Sequence, residues 1–357
     1  MSAQQVAMPT GAQLIRFLHP SGPPWAKAIP TTPGETLILH GDPGSGLEEA
    51  GDWLAEATFP GGRPVISLPV SLAGDYQILL QKLVAATASA AFGDEAAGDL
   101  LALARGEQAD LPELPQPQRK AFLRLATAVT EGASGFPRGS VGRVLRLAPK
   151  ALLVVRDAHL LTERWSRDVL WELRGAVQDT RRHSLVLLCP TEARESLSGP
   201  RAPFYGAGAL ADVGVQRDER FWSRVLRTHQ LQMGQEDLEF VLARTWGLPR
   251  PTLAVLLDAQ DLGARGSVEH HTRAALGTVT LVMKLARTVN RYGPELLLRL
   301  SRGLPPYGIP SASARDVSRA LRQLGFQGLV ARVGQRGWRV ADPFLSDTLL
   351  SRPLSGW

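Results

Sequence analysis

A glycine-rich turn follows the first aliphatic run of the chain and carries the clearest chemistry in the sequence. The run TLILH leads into Gly41, a helical pattern begins after Gly46, and Gly44 and Ser45 lie between them. Phosphate-binding loops combine a strand, a glycine-rich turn whose backbone N–H groups point inward, and a helix N-terminus that favours negative charge. The pattern therefore predicts that these four residues cradle a nucleotide phosphate, the alternative being an ordinary tight turn.

The two positions after this turn lack the side chains that ATP hydrolysis uses. The spacing from Gly41 to Gly46 matches the start of a Walker A motif, which continues with Lys and then Ser or Thr, but Leu47 and Glu48 stand there. Lysine stabilises the transferred phosphate and the hydroxyl holds magnesium. We therefore expect no confident catalytic residue, no metal site, and at most weak binding of ATP or ADP with magnesium. Glu48 is expected to cap the helix in place of an anion.

Three polar residues further along the chain could complete such a site. Asp157 ends the run ALLVVRDAH, where a Walker B carboxylate would stand, although Ala158 replaces the usual second acid. Thr191 follows the run HSLVLLCPTE at the place of a sensor-1 residue, and Arg250 in GLPRP could reach a phosphate. The alternatives are an Asp157 that caps a turn and an Arg250 that faces solvent beside a helix break.

Aliphatic runs alternate with helical patterns through the first two thirds of the chain. A helical pattern between two buried strands implies that the strands pair in parallel. Two long helical stretches, over 74–105 and 117–132, are predicted to form an insertion between core strands. The predicted strands are 35–41, 63–70, 150–159, 183–192 and 209–216.

Arginines recur on the last predicted helix and on the hairpin that follows it. The helix SARDVSRALRQLGF places three arginines at i, i+4 and i+7, on one face, and apolar residues on the other. Such a helix beside a basic two-stranded wing fits DNA phosphates. A solvated arginine face or a protein-binding module are the alternatives. The DNA-binding candidates are Arg315, Arg319, Arg322, Arg332, Arg336 and Arg339.

These motifs, in this order, resemble the AAA+ and STAND branch of P-loop ATPases over residues 35 to about 350. The similarity is greatest to archaeal-type and origin-recognition-like members, which end in a winged helix. It implies an α/β fold with a parallel P-loop ATPase sheet and a helical lid, followed by a winged-helix domain. The implied activities are nucleotide-dependent DNA loading, transposition targeting, or signalling in defence and regulation.

The resemblance divides the chain into four predicted parts. An irregular segment rich in proline and glycine precedes an ATPase-like α/β domain, a helical lid and a winged helix. Their limits are 1–34, 35–217, 218–293 and 294–357.

Composition limits which partners the protein is expected to bind and which cell compartment it is expected to occupy. The chain has 357 residues and a formal charge of +6, which suits nucleic acid, although a genomic bias toward arginine explains it equally well. The single cysteine, Cys189, excludes an intramolecular disulfide and a thiolate metal cluster. With no leader-like start and no apolar run of about 18 residues, a cytoplasmic protein without a membrane span is expected.

The leading hypothesis is a DNA-binding, AAA+-like protein with a degenerate nucleotide site. It would act as a catalytically weak or inactive subunit that docks to DNA or to an active ATPase or other protein subunit, with an oligomer left open. One alternative is an active ATPase that uses Asp157 for magnesium. The other is a protein–protein scaffold that binds no DNA.

Overall fold

A computed structural model gives the fold of most of the chain. It describes residues 7–59, 62–73, 76–104, 107–108, 120, 123, 140–164, 167–214, 218–333 and 337–350. Most of the helix predicted over 117–132 lies outside the described residues, as does Arg336.

A five-stranded parallel sheet organises the first two thirds of the chain. Its strand order is β2-β3-β4-β1-β5, and every neighbouring pair is parallel. The predicted parallel sheet is therefore confirmed. The strands are β1 Thr36–Gly41, β2 Val65–Pro69, β3 Leu152–Arg156, β4 Ser184–Pro190 and β5 Gly208–Asp212.

Helices flank the sheet and continue beyond it, with short 3-10 turns at Pro24–Ala28 and Thr191–Ala193. The helices are α1 Ala12–Leu18, α2 Leu47–Glu56, α3 Tyr76–Phe92, α4 Asp94–Ala104, α5 Ser140–Leu147, α6 Leu160–Arg164, α7 Arg167–Thr180, α8 Arg194–Ser198, α9 Glu219–Thr228, α10 Gln235–Thr245, α11 Pro249–Val289, α12 Gly293–Ser301, α13 Ala314–Phe326 and α14 Pro343–Leu350.

Alternate residues of each central strand enter different cores, because successive side chains of a strand point to opposite faces. Ile38 packs with α3, α5 and α7 on one face, whereas Leu37 and Leu39 pack with α2 on the other. Ile15 of α1 and Trp25 belong to this second core. The N-terminal segment, expected to be irregular, thus contains a helix that covers the sheet.

Two further cores lie beyond the sheet and meet along α11. Trp222 of α9, Leu238 of α10 and Leu253 of α11 share one cluster. The second part of α11 packs instead with α12, α13 and α14, through Met283 among others. Gly263 has φ 70 and ψ 162, which interrupts α11. Ala264 and Val268 follow this interruption and still belong to the first cluster.

The chain from residue 293 forms two helices, α12 and α13, and then a hairpin. Strands β6 Val330–Val333 and β7 Gly337–Val340 pair antiparallel between α13 and α14. Ser313 and Asp316 form a capping box that begins α13. We call residues 293–350 the C-terminal module. Its core also includes residues of α11, and the winged-helix assignment and the domain limits stay predictions.

Within the described residues, no helix is long and apolar enough to cross a membrane.

Candidate functional site at the phosphate loop

Residues 41–46, the phosphate loop, follow the carboxyl end of β1, an interior strand between β4 and β5. Ligands of open parallel sheets bind outside these strand ends. Gly44 and Gly46 have φ 80 and φ 91, a conformation that favours glycine. Ser45 is buried beneath the loop, and a Cβ on Gly41 would lie 2.4 Å from its hydroxyl. The glycine spacing is thus required by the geometry of the turn.

A cleft of about 340 Å³ opens above the loop. The loop, the end of β3, the start of α11 and the end of α13 all contribute to its wall. The structure therefore gathers most of the residues predicted to bind nucleotide around one space. Of those residues, Gly41, Gly44, Gly46, Asp157 and Arg250 line the cleft, and Phe326, Gln327 and Gly328 of the C-terminal module complete it.

The cleft is predominantly acidic. Arg250 is the one arginine among its described lining residues, and four carboxylates accompany it. These four are Asp42, Glu48, Glu49 and Asp157. Negative charges on the protein disfavour a bound anion, so the lining has too little positive charge to balance a polyphosphate.

The acid buried at the start of α2 is Glu49 rather than Glu48. Gly46 is the N-cap residue and Glu48 is exposed, so the capping role expected of Glu48 is not seen. Glu49 is 7% exposed, and burial raises the pKa of its carboxyl, an effect that its own backbone N–H and Arg250 oppose. One residue along a helix turns the side chain by about 100°, which explains the difference.

Arg250 reaches the loop from the start of α11, as the sequence suggested. Its backbone N–H donates to the Gly44 carbonyl at 3.3 Å. Its guanidinium lies 3.4 Å from the Glu49 carboxylate, although the Arg250 side chain is 57% exposed. Arg250 thus contacts both the turn and the first turn of the helix after it.

Asp157 and Thr191 lie at neighbouring strand ends but in different surroundings. Asp157 follows β3 with φ 55, and its carbonyl accepts the Leu160 N–H at 2.9 Å, so its backbone begins the next turn. Asp157 also lines the cleft. Thr191 hydrogen-bonds the carboxylate of Asp42. The residue at the sensor position therefore holds the phosphate loop itself.

Asp42, which the sequence did not single out, joins the loop to the C-terminal module. Burial raises the pKa of its carboxyl, and Thr191 and Arg339 oppose that rise. The Arg339 guanidinium lies 3.9 Å from the Asp42 carboxylate, and the two side chains are 13% and 16% exposed. It also lies 4.4 Å from the centre of the Trp246 ring.

The position of Arg339 corrects one prediction. Arg339 was grouped with the DNA-facing arginines, but β7 turns it toward the phosphate loop, where carboxylate and indole cover it.

Further contacts hold the C-terminal module over the strand ends. The backbone N–H of Arg332 donates to a Glu192 oxygen at 2.6 Å. The rings of Phe326 and His159 lie 5.7 Å apart. Gly328 lies against Pro43 of the loop. Glu192, like Asp42, is a contact residue that no sequence motif marked.

The helix arginines lie away from these contacts. Arg315, Arg319 and Arg322 are all exposed on α13, and the opposite face of the helix, with Val317 and Leu321, is buried. Arg332 is exposed on β6, with its guanidinium 5.7 Å from the Trp338 ring.

Comparison with known proteins identifies the fold. No protein-family model matches the chain, and no curated protein matches its sequence. It is similar to the Walker-type ATPase PABY2304 of Pyrococcus abyssi, with a TM-score of 0.56 and 15% identity over 94% of each chain. It also matches the Orc1 protein of Aeropyrum pernix in complex with DNA at a TM-score of 0.44 and 15% identity, covering 95% of this chain and 89% of that one, too distant to bear on function. The predicted P-loop ATPase fold is therefore confirmed.

Proposed function

We propose that this chain is a DNA-binding protein built on a P-loop ATPase fold, and that it does not hydrolyse ATP on its own. The observation that carries the proposal is the exposed arginine face of α13, formed by Arg315, Arg319 and Arg322. Because the other face of α13 is packed into a core, the helix can present only this face to a partner. Arginine recognises phosphate through several N–H donors held in one plane.

The lining of the cleft supports the second half of the proposal. Leu47 and Glu48 stand where hydrolysis uses a lysine and a hydroxyl. Four carboxylates around a single arginine make the surroundings unfavourable for a triphosphate. We infer a degenerate nucleotide site in a catalytically weak or inactive subunit, which docks to DNA or to an active ATPase subunit.

Replacing the three α13 arginines by alanine tests DNA binding. Each lost phosphate contact lowers the slope of log K against log salt by about 0.9, so the triple variant should lose between about 2 and 3 in slope and at least tenfold in affinity. Fluorescence anisotropy with a short duplex at several salt concentrations measures both.

A matched control exists on another helix. Arg220, Arg224 and Arg227 of α9 are also exposed and have the same i, i+4, i+7 spacing. Their triple alanine variant removes the same charge and should keep most of the affinity. Equal losses in the two variants would show that only net charge attracts DNA, and an unchanged α13 variant would refute the assignment.

The absence of hydrolysis is tested by comparing the wild type with Asp157→Asn, whose phosphate release serves as the blank. We expect phosphate release by the wild-type chain, with magnesium and with or without DNA, to equal that of the variant. Turnover that disappears in Asp157→Asn would instead identify an active ATPase with a non-standard site.

A further inference from the structure

Two arginines from beyond the sheet reach the phosphate loop, and both end on carboxylates of the chain itself. Arg339 of β7 meets Asp42, and Arg250 of α11 meets Glu49. Asp42 lies within the turn and Glu49 in the first turn of the helix after it. In a nucleotide-bound phosphate loop, the anion at this place would be a phosphate.

The burial of the two acids shows that these pairs are part of the packed structure. Both carboxyls are largely buried, and burial is the main cause of the raised pKa of each. A buried carboxylate is costly unless it is paired or hydrogen-bonded. Asp42 has Thr191 and Arg339 as partners, whereas Glu49 has its own backbone N–H and Arg250. Each arginine therefore offsets the cost of an acid that the loop has placed under cover.

The pair at Asp42 is longer, at 3.9 Å against 3.4 Å, but it is better shielded from water. Both of its side chains are mostly covered, so salt screens it little. Arg339 is also fixed by the Trp246 ring. The Arg250 pair is more open to water because more than half of the Arg250 side chain is exposed.

We propose that Asp42 and Glu49 replace the phosphates of a nucleotide, so that the C-terminal module, through Arg339, and the start of α11, through Arg250, stay closed over the phosphate loop without any nucleotide. The same carboxylates repel an entering polyphosphate, so the chain excludes the ligand for which its fold is shaped. The proposal rests on the degenerate nucleotide site proposed above and deepens it, and it does not depend on DNA binding by α13. All of its tests are made without DNA, so its failure would leave the DNA assignment standing.

Amide hydrogen exchange at residues 326–328 and 41–46 measures closure. The nucleotide-free wild type should be protected there, and Mg·ATP should not increase the protection. Asp42→Asn and Arg339→Gln should each speed exchange at these residues severalfold. The two together should have no more effect than either alone, because both remove the same contact. Unchanged exchange in either variant, additive effects, or protection that appears only with Mg·ATP would overturn the proposal.

Exclusion of nucleotide is measured by equilibrium dialysis with labelled ATP. The double variant Asp42→Asn, Glu49→Gln should bind ATP at least fivefold more tightly than the wild type. The control is Glu48→Gln with Glu236→Gln, which neutralises two exposed acids, one of them in the same cleft. It should bind ATP less tightly than the test variant. An equal gain in both, or no gain in the test variant, would overturn the role of the buried pair. Protected exchange in β1 and β4 confirms that each variant is folded.

Discussion

The arginines of the C-terminal half occupy two contrasting environments. Arg250 and Arg339 reach toward the phosphate loop and end on carboxylates of α2 and the loop, Arg339 mostly covered and Arg250 partly exposed. The three arginines on α13 point outward from a helix whose acid, Asp316, accepts hydrogen bonds from Ser313 instead. Arginine therefore has two roles in this half of the chain. One group pairs with carboxylates of the chain itself, and the other is exposed to solvent.

The difference shows why net charge alone describes this protein poorly. The formal charge of +6 suggests one basic surface. The structure divides the basic residues instead, because an arginine covered by a carboxylate and an indole offers little to a polyanion. The environment of each guanidinium, more than the number of arginines, determines which surface could meet DNA.

Disrupting the C-terminal core should displace both Arg339 and the α13 arginines, and we expect it to have the largest effect on stability. A Cβ on Gly293 would lie 2.2 Å from the Ala286 carbonyl oxygen, so Gly293→Ala must displace α12 from α11. We expect a loss of about 3 kcal/mol in the free energy of unfolding of this region, measured by urea unfolding.

Gly277→Ala is the control for that substitution. Gly277 is an exposed helical residue with open space around its Cα. Alanine there should stabilise the helix by up to about 1 kcal/mol. If both variants had the same free energy of unfolding, the close approach at Gly293 would contribute nothing to stability.

Neutralising one arginine from each environment sharpens the comparison. Arg319→Gln should weaken duplex binding about fivefold and lower the salt slope by about 0.9. Arg250→Gln, which removes the same charge, should change the affinity less than about twofold, because its guanidinium lies beside Glu49. Anisotropy titrations measure both. Equal losses would mean that the two environments do not differ in access to DNA.

The smallest expected effect is a change in pH dependence at Glu192. Burial is the main cause that raises the pKa of this carboxyl above its ordinary value of 4.5, and the Arg332 N–H opposes it. A raised pKa means that the stability the group contributes is present below pH 4.5 and is lost as pH rises through the folded-state value.

Glu192→Gln should remove that part of the pH dependence. The fall in Tm on going from acid to neutral pH should become smaller than in the wild type, by an amount on the order of 1 °C. Glu195→Gln, at an exposed position of α8, should keep the wild-type profile. Parallel profiles for wild type and Glu192→Gln would show that burial does not raise the pKa of this carboxyl.

Much of the fold could be predicted because continuous aliphatic runs identify buried parallel strands. The run at 36–41 lies between β4 and β5, where both faces of the strand are covered, and its residues are all buried and mostly apolar. Helix α1 was missed because prolines and glycines flank it closely. Its apolar residues Leu14, Ile15 and Leu18 nevertheless carry a helical spacing that could have revealed it.

The site was less predictable for two physical reasons. The Asp42–Arg339 contact joins residues from opposite ends of the chain and depends on how the C-terminal module docks, which no local pattern encodes. The choice between Glu48 and Glu49 depends on the rotation of α2 relative to the loop. The glycine spacing, Asp157 and Arg250 could be found because they stand at strand and helix ends, where the topology brings them together.

The interruption at Gly263 has a mechanical consequence. Residues 264–289 of α11 continue past it as a rod about 39 Å long at 1.5 Å per residue. A change in bend of about 10° at this one residue would displace Val289 by roughly 7 Å. The two parts of α11 touch across the interruption, because the Ser267 hydroxyl donates to the Val255 carbonyl at 2.9 Å and the His271 ring lies 3.0 Å from the Asp258 carboxylate. These contacts therefore set the direction of the rod and, with it, the place where α12 begins.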